Sequence, residues 1–147
     1  MLRIHRIELS VYCHATEDLD KVVSSLLNLI PETIRERVKI TKQSVKGYYG
    51  NIITIIKAVV SGNDAIETMK YIASKISDVE KSILRASLKA RYDPRSNKIF
   101  FRFDKQELYR GRIVVSDSDD IVHVALSFKG KGGIDDVEKL LSEIGLI

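Results

Sequence analysis

Three segments of this chain alternate apolar and polar residues with a period of two, and that alternation restricts the fold more than any other feature of the sequence. In Ile7–His14, the residues Ile7, Leu9, Val11 and Cys13 fall on one face and Glu8, Ser10, Tyr12 and His14 on the other. Between Lys98 and Phe103 the apolar set is Ile99, Phe101 and Phe103, opposed by Lys98, Phe100 and Arg102. From Ile121 to Phe128, Val122, Val124, Leu126 and Phe128 oppose His123, Ala125 and Ser127. Successive side chains of a strand point to opposite sides, so each segment predicts a strand with one core face and one polar face. Strands of this kind belong to a sheet covered on one side and open on the other.

The intervening sequence supplies the cover. A strand from about Leu2 to His14 slips phase near Arg6, which predicts a bulge or a strand start there. Thr16 with Glu17 and Asp18 predicts a helix start, and Leu19, Val22, Val23, Leu26, Leu27 and Ile30 recur at helical spacing before Pro31 ends the run. A Lys-rich extended segment follows from Arg35 to Val45, with Val45 out of phase with Val38 and Ile40. Gly47-Tyr48-Tyr49-Gly50-Asn51 is a turn, and the β-branched run Ile52–Val60 predicts a buried strand. Asn63 or Asp64 is the expected cap of a helix carrying Ala65, Ile66, Met69, Ile72, Ala73 and Ile76. Ser77-Asp78 caps another, with Val79, Ile83, Leu84 and Leu88 as its apolar stripe. After the Pro94–Asn97 turn and the Lys98 strand come a short second strand, Arg112–Ser116, the acidic turn Asp117–Asp120 and the Ile121 strand. Gly130, Gly132 and Gly133 then precede a helix bearing Ile134, Val137, Leu140, Leu141 and Ile144. The order β-α-β-β-α-α-β-β-β-α predicts an α+β fold: a two-layer sandwich of a mixed, mostly antiparallel sheet with helices on one face, in one domain, 1–147.

Hydrophobic content of 44% and charged content of 30% are those of a globular chain. The single cysteine, Cys13, allows no intramolecular disulfide and fits a reducing compartment. Arg3, His5, Arg6 and Glu8 interrupt the position where a signal peptide needs an apolar core, and Ile52–Val60 is too short to span a bilayer. A cytoplasmic protein that does not enter the membrane is therefore expected.

Catalytic signatures are weak. His5, His14 and His123 have no metal-ligand spacing, although His14 and His123 share the polar sheet face with Glu8. Cys13 lies on an apolar face, as an inert thiol does. Asp117, Asp119 and Asp120 lack the glycine and distal glutamate of a calcium loop, and the glycines before Ile134 lack the Lys-Ser/Thr of a phosphate loop. The expectation is a non-enzyme without metal or cofactor.

Signals for nucleic acid are stronger. The net charge is +4, yet Arg85–Arg112 alone holds nine Lys/Arg against three acids, a surplus of six. Cations neutralise phosphates and exposed rings offer bases a surface to stack on. The candidate RNA contacts are Lys98, Phe100, Arg102, Lys105 and Arg110, with Lys42, Lys46, Tyr48 and Tyr49 as a second shore and Tyr12 on the open face. Asp104-Lys105-Gln106 equally suits a tight turn held by side chain–backbone bonds.

Tyr12-Cys13-His14-Ala15-Thr16-Glu17-Asp18, Gly47-Tyr48-Tyr49-Gly50-Asn51 and Arg102-Phe103-Asp104-Lys105-Gln106 together resemble an archaeal family described as RNA-binding or predicted exosome subunits. The resemblance spans essentially the whole chain. It departs where the family often has proline after Gly-Asn and this chain has Ile52. It implies a fold similar to the large-subunit ribosomal protein that contacts the smallest ribosomal RNA. It also implies RNA binding in RNA processing or degradation, or in ribosome-related metabolism, with exosome or ribosomal proteins as partners. The competing expectation is an assembly module, a homodimer or complex subunit without direct RNA contact, in which Phe100 and Tyr12 anchor the interface.

Overall fold

The computed structural model describes residues 1–147. Six strands form one sheet: β1 (Arg3–Cys13), β2 (Lys39–Lys46), β3 (Ile52–Ser61), β4 (Tyr92–Asp93), β5 (Lys98–Asp104) and β6 (Ile121–Lys129), in the order β2-β3-β1-β6-β5-β4. Every pairing is antiparallel, so the sheet is not mixed. Seven helices accompany it: α1 (Leu19–Leu27), α2 (Glu32–Arg35), α3 (Asn63–Lys75), α4 (Asp78–Ala86), α5 (Leu88–Arg91), α6 (Lys105–Tyr109) and α7 (Ile134–Glu143).

The alternation holds. Register aligns Ile56, Val11; Ala58, Leu9, Val124, Phe101; and Val60, Ile7, Leu126, Ile99 as rows across the sheet, and all are buried. Val22 and Leu26 of α1, Met69 and Ile72 of α3, Leu84 of α4 and Val137 and Leu141 of α7 close over these rows in one contiguous core. The slip in β1 is a bulge: its register with β6 shifts between Ile4 and Arg6.

Several local expectations are corrected. Asp18, not Thr16, caps α1, its Oδ1 accepting from the Asp20 N–H at 3.0 Å. Gly62 caps α3 in place of Asn63 or Asp64, at φ 62°, where a glycine carries no Cβ penalty. α1 ends at Leu27 with Asn28 as its C-cap, before Pro31, which instead opens the short α2, so Arg35 is helical and the Lys-rich strand begins only at Lys39. Ile52–Val60 is not a buried strand: Lys57 and Val59 are exposed and only its alternate residues Ile56, Ala58 and Val60 reach the core. On α4, Val79 and Ile83 are exposed, leaving Leu84 as its core anchor.

Arg112–Ser116 is not a strand. It lies beside the end of β5 through one bridge, Phe103 to Val115, with Asp104 N–H donating to Val114 O and Ser116 N–H to Arg102 O. The Val115 N–H goes instead to Glu80 Oε2 of α4 at 2.7 Å, which ends the ladder. The two-residue β4 covers the other end of the same edge. No helix is long and apolar enough to cross a membrane.

The division of faces has a measurable consequence. Phe101→Ala should lower the free energy of unfolding by about 3–5 kcal/mol, read from urea denaturation, whereas Phe100→Ala, on the opposite face of the same strand, should cost well under half as much.

Candidate nucleic-acid interface

The face away from the helices is paved by side chains of alternate residues, and cross-strand register sets which ones meet. One row runs Thr41, Lys57, Ser10, His123, Arg102 across five strands. The next runs Lys39, Val59, Glu8, Ala125, Phe100, and a third Ser61, Arg6, Ser127, Lys98, Asp93. Tyr12 follows beside Ile55 and Gln43 and is 56% exposed. The face thus carries Lys39, Lys57, Lys98, Arg6 and Arg102 around Tyr12, Phe100 and His123.

Most of these cations are unneutralised. The ion pairs of the molecule involve neither Lys39, Lys57 nor Lys98. Arg6 pairs with Glu8 at 2.9 Å. Arg102 donates to the Ser118 carbonyl at 2.6 Å and lies 3.9 Å from Asp119, so the acidic turn orients its guanidinium. The Phe100 and His123 rings lie 5.6 Å apart and tilted. Burial, and then the neighbouring Arg102 charge, hold the His123 imidazole below its ordinary range, so it is neutral at pH 7 and presents an aromatic surface. No three metal-ligating side chains converge anywhere in the molecule.

The ten expected contact residues fall in five places. Tyr12, Lys98, Phe100 and Arg102 share the open face. Tyr48 and Tyr49 stand at the tip of the β2–β3 hairpin, 95% and 87% exposed, with their rings perpendicular and 5.0 Å apart. Lys42 and Lys46 pair with Ile56 and Ile52, whose phase is that of the core, so they project to the helical side of the sheet edge and do not flank Phe100. Arg110 caps the end of α6, bonded to Glu107, and lines a cleft of about 370 Å³ between α1 and α6.

Lys105 is a correction. Only 3% exposed, it cannot reach a ligand, because its ammonium spends all three donors inside the protein. It donates to Tyr12 O at 3.0 Å, to Glu17 Oε1 at 3.0 Å and to Asp120 Oδ1 at 2.8 Å. Asp104 caps α6 by accepting from the Glu107 N–H, and Gln106 donates to Asp120. The stretch Asp104-Lys105-Gln106 is therefore a structural clamp joining the end of β1, the loop before α1 and the acidic turn. Burial opposes the charge on Lys105, but the bonds from Asp120 and Glu17 outweigh it and leave its pKa raised; Asp120 is burdened by burial too, and Lys105 and Gln106 lower it on balance.

The basic surplus of Arg85–Arg112 also disperses. Arg85 pairs with Glu138, Arg91 bonds Ser87 Oγ, and Arg110 and Arg112 share Glu107. Of that surplus, Lys98 and Arg102 reach the open face, and Arg91 lies close enough to Arg102 and Asp117 to feel their charges. The residues of this face missing from the expected contacts are Arg6, Lys39, Lys57 and His123. Lys57 sits in an apolar run, and the one signal that locates it is its odd phase against Ile56 and Ala58.

A family model described as RNA binding matches residues 6–128, from the start of the regular part of β1 to the last residue but one of β6. The chain belongs to this RNA-binding family. It is 36% identical over 127 residues to an uncharacterized protein of Methanocaldococcus jannaschii, MJ0213, covering 86% of this chain and 85% of that one. It is 30% identical over 130 residues to the RNA-binding protein PAB1135 of Pyrococcus abyssi, covering 87% and 84%. Protein SSO0741 of Sulfolobus solfataricus shares the fold, with a TM-score of 0.77, 27% identity and coverage of 94% of this chain and 98% of that one. The family match takes in every strand that builds the open face.

Lys105→Met should destabilise the protein by about 1.5–3 kcal/mol, the range for hydrogen bonds to charged groups, because Glu17 and Asp120 lose their cation yet still reach water. The native Asp120 carboxyl is lowered, so its contribution is present above 3.8 and is lost as the pH falls through the native value. Lys105 is raised, so its contribution is present below 10.5 and is lost as the pH rises through the native value. The difference in thermal midpoint between the wild type and Lys105→Met should therefore stay level between those limits and shrink outside them.

Proposed function

We propose that this protein binds RNA through the open sheet face and does not catalyse its turnover. The observation that carries the reading is the helix-free face on which unpaired Lys39, Lys57 and Lys98, with the turn-oriented Arg102, are interleaved with Tyr12 and Phe100. Cations at this density release counterions from phosphates, and the neighbouring rings hold what the charges attract. Membership in an RNA-binding family and kinship with a protein named for RNA binding support the assignment.

The cellular role follows the resemblance to predicted exosome subunits: a cytoplasmic, non-catalytic subunit in RNA processing or degradation. Lys57, Lys98 and Arg102 contact phosphates, and Tyr12 and Phe100 contact bases. The groups that touch RNA sit on strands whose opposite faces form the core, so the surface is rigid before the ligand arrives.

Fluorescence anisotropy with a labelled RNA across a range of salt concentrations tests the reading. Affinity should fall with salt, and Lys57→Ala or Lys98→Ala should weaken binding and reduce the slope by about one per lost phosphate contact. Arg110→Ala, which alters a cation held by Glu107 on the helical side, should leave affinity unchanged. Salt-independent binding, or equal losses for Arg110 and Lys98, would remove the open face from the assignment.

A further inference from the structure

Three concavities on the open face share walls. One, of about 240 Å³, lies between the hairpin tip and the loop after β1, where Tyr48 and Tyr49 share its lining with His14. The second, of about 660 Å³, runs from His14 past Tyr12 to His123 and Arg102. The third, of about 210 Å³, continues from His123 to Phe100 and Lys57. His14 belongs to the first and second, and Ser10 and His123 to the second and third, so the three form one trough. Between Glu8 and His14 it follows β1 for roughly 20 Å, at ~3.3 Å per residue, before it reaches the tip.

Each part of the trough holds aromatic rings, and its length carries Lys57, Lys98 and Arg102. Its two acids are already engaged, Glu8 by Arg6 and Asp119 near Arg102. Exposed rings contribute about 1–3 kcal/mol per base, and only when the base offers an unstacked face. A duplex keeps its bases stacked on one another and presents phosphates and 2′-hydroxyls, which would leave Tyr12, Tyr48 and Tyr49 without partners.

We infer that the trough holds a single RNA strand of more than four nucleotides with its bases splayed, running from Phe100 past Tyr12 and His14 to the hairpin tip. This rests on RNA binding by the open face and adds the strandedness of the ligand and its path. The path begins at the Phe100–His123 pair, passes Arg102 and Tyr12 at its middle, and ends at Tyr48 and Tyr49. A short strand fills the sheet portion alone, whereas a longer one also reaches the tip.

The experiment compares a single-stranded decamer, a tetramer cut from it and the decamer duplex, each labelled and titrated at one salt concentration. The decamer should bind at least about tenfold more tightly than the duplex, since one base–aromatic stack is worth about that factor. The double variant Tyr48→Ala/Tyr49→Ala should lose about tenfold or more for the decamer and leave the tetramer within about twofold. Tyr12→Ala should weaken both. Because both tip rings are solvent-exposed, the double variant should keep the wild-type thermal midpoint, which is checked alongside. Equal affinity for duplex and single strand, or an unchanged decamer affinity in the tip variant, overturns the trough while leaving RNA binding in place. Absence of binding to all three RNAs overturns both.

Discussion

The sheet has to bury one face and only one. Ile7, Leu9, Val124, Leu126, Ile99 and Phe101 form rows that must be shielded from water, and the helices supply that shield from a single side. The opposite rows contain too many charges to accept a second layer, since sealing Lys57 or Lys98 under helices would strip charged groups of water with no carboxylates to receive them. The open face therefore results from the packing, and the binding surface is the part of the sheet that the core could not use.

Placement of that surface depends on Lys105. A lysine held at 3% exposure is costly unless every donor is satisfied, and here two carboxylates and the Tyr12 carbonyl satisfy all three. The clamp joins parts of the chain that lie far apart in sequence: the end of β1, the loop before α1, the start of α6 and the acidic turn. It fixes Tyr12 from below through its backbone and holds Asp117–Asp120 where Ser118 can receive Arg102. The acidic turn is thereby part of the frame for the most constrained cation on the face. Asn28 adds a second tie by donating to the Leu108 carbonyl, anchoring α6 against α1.

Charge counted along the chain and charge counted across the surface are different quantities. The surplus between Arg85 and Arg112 is real, but α4, α5 and α6 distribute most of it over the helical side, where Glu107 and Glu138 neutralise part of it. The open face is basic for another reason. Strands distant in sequence contribute one or two cations each, Arg6 from β1, Lys39 from β2, Lys57 from β3, and Lys98 and Arg102 from β5, and antiparallel register sets them in adjacent rows. Polar residues at alternate positions make such a face, and their sum depends on which strands become neighbours.

The fold class and the inward faces of β1, β5 and β6 were legible in the sequence, because a period of two with one apolar phase has a single solution in a one-sided sheet. The bulge near Arg6, the Tyr48–Tyr49 turn and the outward direction of Phe100 were legible for the same local reason. Elements shorter than their own periodicity were not: α2 and β4 have four and two residues, too few to show a pattern, and Arg112–Ser116 loses its ladder to a distant glutamate. The roles of Lys105 and Lys57 were beyond reach as well. Local sequence states that a lysine follows Asp104 and that another interrupts an isoleucine run. Whether an ammonium meets two carboxylates and a carbonyl, or bare solvent beside a serine and a histidine, is decided by which strands and loops the tertiary structure brings within 3 Å of it.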